Sequence, residues 1–126
     1  MALGYSDKVV QRYYVAATVS QYDVVKLHTT AGQIALAGAS NKPLGIAMEA
    51  GNVGEYIDVC VEGEYFAVAA EELAVGDDLS CAASGEIRTA YSLDTHTLGV
   101  LGPKQAAAVT NDLVAVKIQK SVISIA

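Results

Sequence analysis

Apolar and polar residues alternate along most of the chain. From Tyr56 to Glu62, Ile57, Val59 and Val61 fall on one side, and Tyr56, Asp58, Cys60 and Glu62 on the other. This is the period of a β-strand with one dry and one wetter face. Leu113 to Gln119 carries the same alternation. Shorter strands are predicted at Tyr14 to Val19, Val24 to His28, Gln33 to Ala37, Leu44 to Glu49, Tyr65 to Ala69, Leu79 to Ala82, Gly85 to Thr89, Leu98 to Leu101 and Lys104 to Val109. Thr29-Thr30-Ala31-Gly32 and Ala50-Gly51-Asn52-Val53-Gly54 read as turns, and Gly63-Glu64 is expected to turn the chain between two strands. Ala70-Glu71-Glu72-Leu73 is the only helical signal, one turn long, and Tyr91 to Thr97 reads as a polar loop.

The elements recur in order. Asp23-Val24-Val25-Lys26-Leu27, Gly32-Gln33-Ile34 and Leu44-Gly45-Ile46 return as Asp77-Asp78-Leu79-Ser80-Cys81, Gly85-Glu86-Ile87 and Leu98-Gly99-Val100, at offsets of 54, 53 and 54 residues. The chain therefore reads as mainly β: a compact barrel or sandwich of two related hairpin units, residues 23–63 and 77–119, within one domain from residue 15 to 126. Residues 1–14 read as an extended N-terminal arm. The tail Val122-Ile123-Ser124-Ile125-Ala126 is β-prone and uncharged, so it is expected to dock in the fold or on a neighbouring subunit. Val122, Ile123 and Ile125 are its candidate subunit-interface residues.

Composition narrows the function. In 126 residues there are one Phe and no Trp, and the net charge is -6, so a groove tracking phosphates is not expected and nucleic acid is a poor partner. The charge is uneven: residues 1–14 hold Asp7 against Lys8 and Arg12, leaving about -7 on the remainder. No stretch approaches the ~18 apolar residues of a membrane span, and Met1-Ala2-Leu3-Gly4 lacks a signal-peptide pattern, so synthesis and retention in a cytoplasm are expected. Cys60 and Cys81 lack a C-x-x-C spacing, which favours reduced thiols acting as small hydrophobes.

Catalytic signals are weak throughout. His28 and His96 lie beside threonines without a second ligand at metal spacing, so no metal or cofactor is expected. Ser80 and Cys81 fall inside a strand and not at an exposed elbow, and the glycines form no phosphate-loop motif. Gly45, Gly63 and Gly99 instead mark bulges or close backbone approaches. Glu71-Glu72 and Asp77-Asp78 could suggest paired carboxylates, but Asp77-Asp78 follows Gly76 where Asp bonds its own backbone, as Asp23 does in the first unit. No catalytic residue is assigned. Tyr5, Tyr13 and Tyr14 interleave with Lys8 and Arg12, the aromatic and cationic mix enriched at protein interfaces.

The succession Asp23-Val24-Val25, Gly32-Gln33-Ile34, Pro43-Leu44-Gly45-Ile46-Ala47, Gly54-Glu55-Tyr56-Ile57-Asp58-Val59 and Gly63-Glu64-Tyr65-Phe66 resembles the capsid cement, or decoration, proteins of tailed bacteriophages. Val75-Gly76-Asp77-Asp78-Leu79, Gly85-Glu86-Ile87, Leu98-Gly99-Val100 and Asp112-Leu113-Val114-Ala115-Val116 continue it over roughly residues 14–120. The resemblance implies a non-enzymatic virion protein on the outside of an expanded head. It would be made in the host cytoplasm, would commonly be a homotrimer, and would hold adjacent major capsid protein subunits together. Tyr5, Lys8, Arg12, Tyr13 and Tyr14 are then the candidate capsid contacts. Two readings compete with this one. A glycan-binding or adhesive module of a phage fibre would have only tyrosines for a sugar platform. A trimeric nucleotide hydrolase would need basic residues converging on Asp58 or Asp77-Asp78, which the thin spread of eight Lys plus Arg does not offer.

Overall fold

A computed structural model describes residues 9–38, 42–74, 78–89, 96–101, 107–108 and 113–122. The alternating stretches form strands β1 (Val9–Val15), β2 (Val24–Leu27), β3 (Gln33–Leu36), β4 (Gly45–Ala47) and β5 (Tyr56–Val68). They continue as β6 (Leu73–Ala74), β7 (Asp78–Cys81), β8 (Ile87–Thr89), β9 (His96–Leu101), β10 (Ala107–Ala108) and β11 (Leu113–Val122). Among the described residues the sole helical piece is a 3-10 turn, Ala83–Gly85. The mainly β reading holds.

The nine-stranded sheet runs β1-β3-β2-β4-β5-β11-β9-β7-β8, and β1 also pairs with β5. That extra pairing closes β1, β3, β2, β4 and the first half of β5 into a five-stranded barrel, here barrel 1. The second half of β5 pairs with β11, which continues through β9 and β7 to β8. A parallel bridge from Ala69 to Ile87 returns to the end of β5, and the Ala70 N–H donates to the Ile87 carbonyl at 2.8 Å. These strands form a second ring, barrel 2. Closure satisfies backbone groups that an open sheet would leave at its edges.

The two rings share a register. Val15 opposite Ile34 corresponds to Ala69 opposite Ile87, and Tyr14 opposite Tyr56 to Val68 opposite Leu113. Val24 with Ile46 matches Asp78 with Val100, and Ile46 with Cys60 matches Val100 with Lys117. Even the isolated bridge from Val19 to Gly51 has its counterpart in Leu73 opposite Ala108. The duplication thus extends beyond the hairpins to β1, whose counterpart is the second half of β5. One strand of 13 residues ends barrel 1 and begins barrel 2.

Three expectations are corrected by this arrangement. Gly63-Glu64 does not turn the chain: β5 passes straight through, with Gly63 at φ 98° where the strand crosses between barrels. Ala70 to Leu73 makes no helical turn, because pairing of Leu73 with Ala108 overrides local propensity. The first strand spans Val9–Val15 and not Tyr14 to Val19, so residues 9–14 of the expected arm are sheet, paired along β5 from Glu62 to Tyr56. Gly45 does mark a close approach: a side chain there would land on the Cys60 carbonyl oxygen.

Inside barrel 1, Val15, Val25, Ile34, Ile57, Val59 and Val61 pack together. The counterparts Ala69, Leu79, Ile87, Val114, Val116 and Ile118 lie in the core of barrel 2. That second core also takes in Val24, Ala37, Ile46 and Cys60 from the outer face of barrel 1. Burying side chains such as Val24 and Ile46 is worth about 1.5–3 kcal/mol each, which fuses the barrels into one body. The β7–β8 turn helps to seat them, with the Gly85 N–H donating to the Ala37 carbonyl at 2.9 Å.

Candidate functional site

Because β5 alternates, its even-numbered residues point out of the barrels. On barrel 1 this outer face faces solvent beside β1, where Arg12 stands opposite Asp58 and Tyr14 opposite Tyr56. Arg12 Nη1 donates to Asp58 Oδ1 at 2.9 Å, and Nη2 donates to the Tyr56 carbonyl at 3.0 Å. The Asp58 N–H in turn donates to Glu49 Oε2 at 2.9 Å. Tyr14 meets Tyr56 edge to face, ring centroids 5.4 Å apart. Tyr56 is 59% exposed. The ion pair is solvent-facing and contributes under about 1 kcal/mol to stability; its effect is to fix the guanidinium on the rung next to the Tyr14–Tyr56 pair. Such an arrangement can grip a protein surface or stack on a sugar ring, and it contains no nucleophile with an adjacent base.

Of the five candidate contacts, the fold places Arg12 and Tyr14 together here. Tyr13 lies on the opposite side of β1, partly buried against the core of barrel 1, its hydroxyl donating to Gln11 Oε1 at 2.5 Å. Tyr5 and Lys8 lie outside the described residues, as do Ile123 and Ile125 of the tail. Val122 is the last residue of β11 and stands opposite His96. Sequence reading missed Tyr56 and Asp58 as companions of Arg12. Their signal was present in the wet face of β5, but nothing local indicates that β1 is the strand beside it.

The remaining candidates have structural positions. The His28 ring accepts the Thr30 N–H at Nδ1, 3.2 Å away. Cys60 and Cys81 are buried, and the Cys60 thiol donates to the Glu62 carbonyl at 3.2 Å. Among the described residues no three His, Cys, Asp or Glu side chains gather as they would around a metal ion. Asp23 accepts the Ser20 N–H at 2.8 Å and sits where barrel 1 meets Gly85 of barrel 2. Burial pushes its pKa above the ordinary carboxylate value; the Ser20 bond opposes this and nearby Glu86 adds to it.

The molecule is thus a tandem pair of five-stranded barrels fused through one strand, with an aromatic and charged outer face on the first. Among solved structures it is similar in fold to the head fiber gp8.5 N base in bacteriophage phi29, with a TM-score of 0.70 over 94% of this chain and 99% of that one at 17% sequence identity. No protein-family model matches the sequence, and no curated protein matches it.

Proposed function

We propose that this chain is a structural virion protein of a tailed phage. It binds the outer surface of the expanded head and bridges adjacent major capsid protein subunits as a homotrimer. The observation that carries the reading is the fold, shared over nearly its whole length with a phage head-fibre base. The solvent-facing group of Arg12, Tyr14, Tyr56 and Asp58 supports it, since Arg and Tyr dominate binding energy where a protein surface is gripped. Three modest copies of such a face on one rigid assembly act at high effective concentration, so weak contacts add to firm attachment. Tyr5 and Lys8 extend the proposed capsid contact toward the N-terminus. No step of this role calls for catalysis or a cofactor.

The test is co-sedimentation of the full chain with undecorated, expanded heads of its phage. Saturable binding is expected, weakened at least about 100-fold by combined Arg12→Ser and Tyr56→Ser, at ~1.4 kcal/mol per tenfold. Truncation should stop at residue 8, because residues 9–14 belong to β1 and close barrel 1. A wild-type protein that ignores heads at micromolar concentration would sink the proposal. The exposed Tyr56 beside Tyr14 favours one second reading, a glycan-binding module of a phage fibre. Saturable binding on a glycan array with heads left bare would establish that instead.

A further inference from the structure

The duplication supplies an internal control for every surface position. On barrel 1 the outer rungs between β1 and β5 are Arg12 opposite Asp58 and Tyr14 opposite Tyr56. The counterpart rungs on barrel 2, between β5 and β11, are Phe66 opposite Ala115 and Val68 opposite Leu113. The geometry is shared and the chemistry is inverted. Phe66, the only Phe in the chain, is 45% exposed, as is Leu113. Side chains on opposed and diagonal positions of one sheet face are neighbours, so these four residues form a continuous uncharged strip in which Phe66 and Leu113 stand exposed, Val68 is half-buried and Ala115 is buried.

The fold spends strain to brace this strip. Tyr22 has φ 75°, a backbone region that costs a bulky residue about 1 kcal/mol or more. The equivalent position in the second unit's sequence is a glycine, Gly76, the residue type for which positive φ costs nothing. In that conformation the Tyr22 ring meets Phe66 edge to face at 6.4 Å and Tyr65 at 5.7 Å, while Tyr65 lies 6.0 Å from Phe66. An exposed phenylalanine is thereby held in place, which a residue merely left in solvent does not need.

We infer that this strip, Phe66, Val68, Leu113 and Ala115, is where copies of the chain meet one another. Charge decides the occupant. Between two bodies of net charge -6, like-charge repulsion opposes contact least where a face carries no charge. The rung bordering the strip is Glu64 opposite Lys117, one charge of each sign, so a second copy can answer it with opposite charges. A charge-free apolar centre is also the composition of lasting homo-oligomeric contacts, while the Arg and Tyr face of barrel 1 has that of a contact made later with a separate partner. This inference deepens the proposed trimer by locating its interface, and it stands or falls separately from head binding.

The experiment is native mass spectrometry and sedimentation equilibrium on wild type, Phe66→Asp, a milder Leu113→Ser, and the barrel 1 control Tyr56→Ser. Circular dichroism and the urea midpoint verify that each variant is folded. An oligomer is expected for wild type and Tyr56→Ser, a 13.1 kDa monomer for Phe66→Asp, and at least tenfold weaker association for Leu113→Ser. A monomeric wild type, or a folded Phe66→Asp that keeps the oligomer, overturns the inference. So does loss of head binding by Phe66→Asp with the oligomer intact, which would make the strip a capsid contact. An oligomer that Phe66→Asp dissociates but that never binds heads supports the inference while sinking the proposed function.

Discussion

Barrel 1 and barrel 2 repeat each other strand for strand, yet each has buried what the other exposes. Val24, Ile46 and Cys60 form an outer row of barrel 1 that is buried against barrel 2. The equivalent row of barrel 2 runs Asp78, Val100, Lys117, and its two charged members are in contact with solvent. The Gly32 turn is open around its own glycine, whereas its counterpart Gly85 is pressed against Leu36 and Asp23. A head-to-tail contact between like units leaves one unsatisfied face at each end, and unless charged or covered such faces propagate into filaments. The charged row on barrel 2 suits an end that does not accept a third barrel stacked head to tail.

The largest effects should come from the matched cores. Ile34→Ala and Ile87→Ala each empty a fully buried site and should cost about 2–5 kcal/mol. Because β5 belongs to both barrels, urea unfolding followed by circular dichroism should keep one transition in either variant. Two separated transitions would mean that the barrels fold independently. Next come the two equivalent turn glycines, at φ 78° for Gly32 and 77° for Gly85. Alanine at either carries the left-handed penalty of about 1–2 kcal/mol. At Gly85 the new methyl also presses on Leu36 and Asp23, which should add about 1–2 kcal/mol. Equal urea midpoints for the two variants would show that the β7–β8 turn adds nothing to docking.

The smallest effect concerns Asp23 at the junction. Its folded pKa is raised, by burial first and with Glu86 contributing, so the protonated form favours the folded state. That stabilisation is complete below the ordinary carboxylate pKa and is lost as pH rises through the raised value. Asp23→Asn, which keeps an acceptor for the Ser20 N–H, should therefore stabilise the protein at pH 7 by under about 1 kcal/mol, since the group is only half buried and screened. The gain should shrink toward zero below about pH 4. A midpoint difference that does not change with pH would remove Asp23 from the account.

Much of the fold was legible because hairpins are local. The repeated Gly-x-Ile and Leu-Gly elements fix β2–β3 with β7–β8, and β4 with β9, since turn residues and alternation act over a few positions. Gly63-Glu64 misled because glycine at positive φ serves a crossing strand as well as a turn. Arg12 and Tyr14 were legible as candidate contacts from their residue types; that Tyr13 turns inward follows only once β1 is known to start at Val9.

By itself the sequence determined that β5 has a dry side and a wet side, and that two related units share the chain. Only the tertiary structure decided what covers each wet side. Cys60 and Phe66 both lie on the outward side of β5, one beneath barrel 2 and the other in solvent. Alternation reports that a strand has two faces, but burial is fixed by which distant surface arrives, and that depends on closure of rings whose strands lie up to about fifty residues apart.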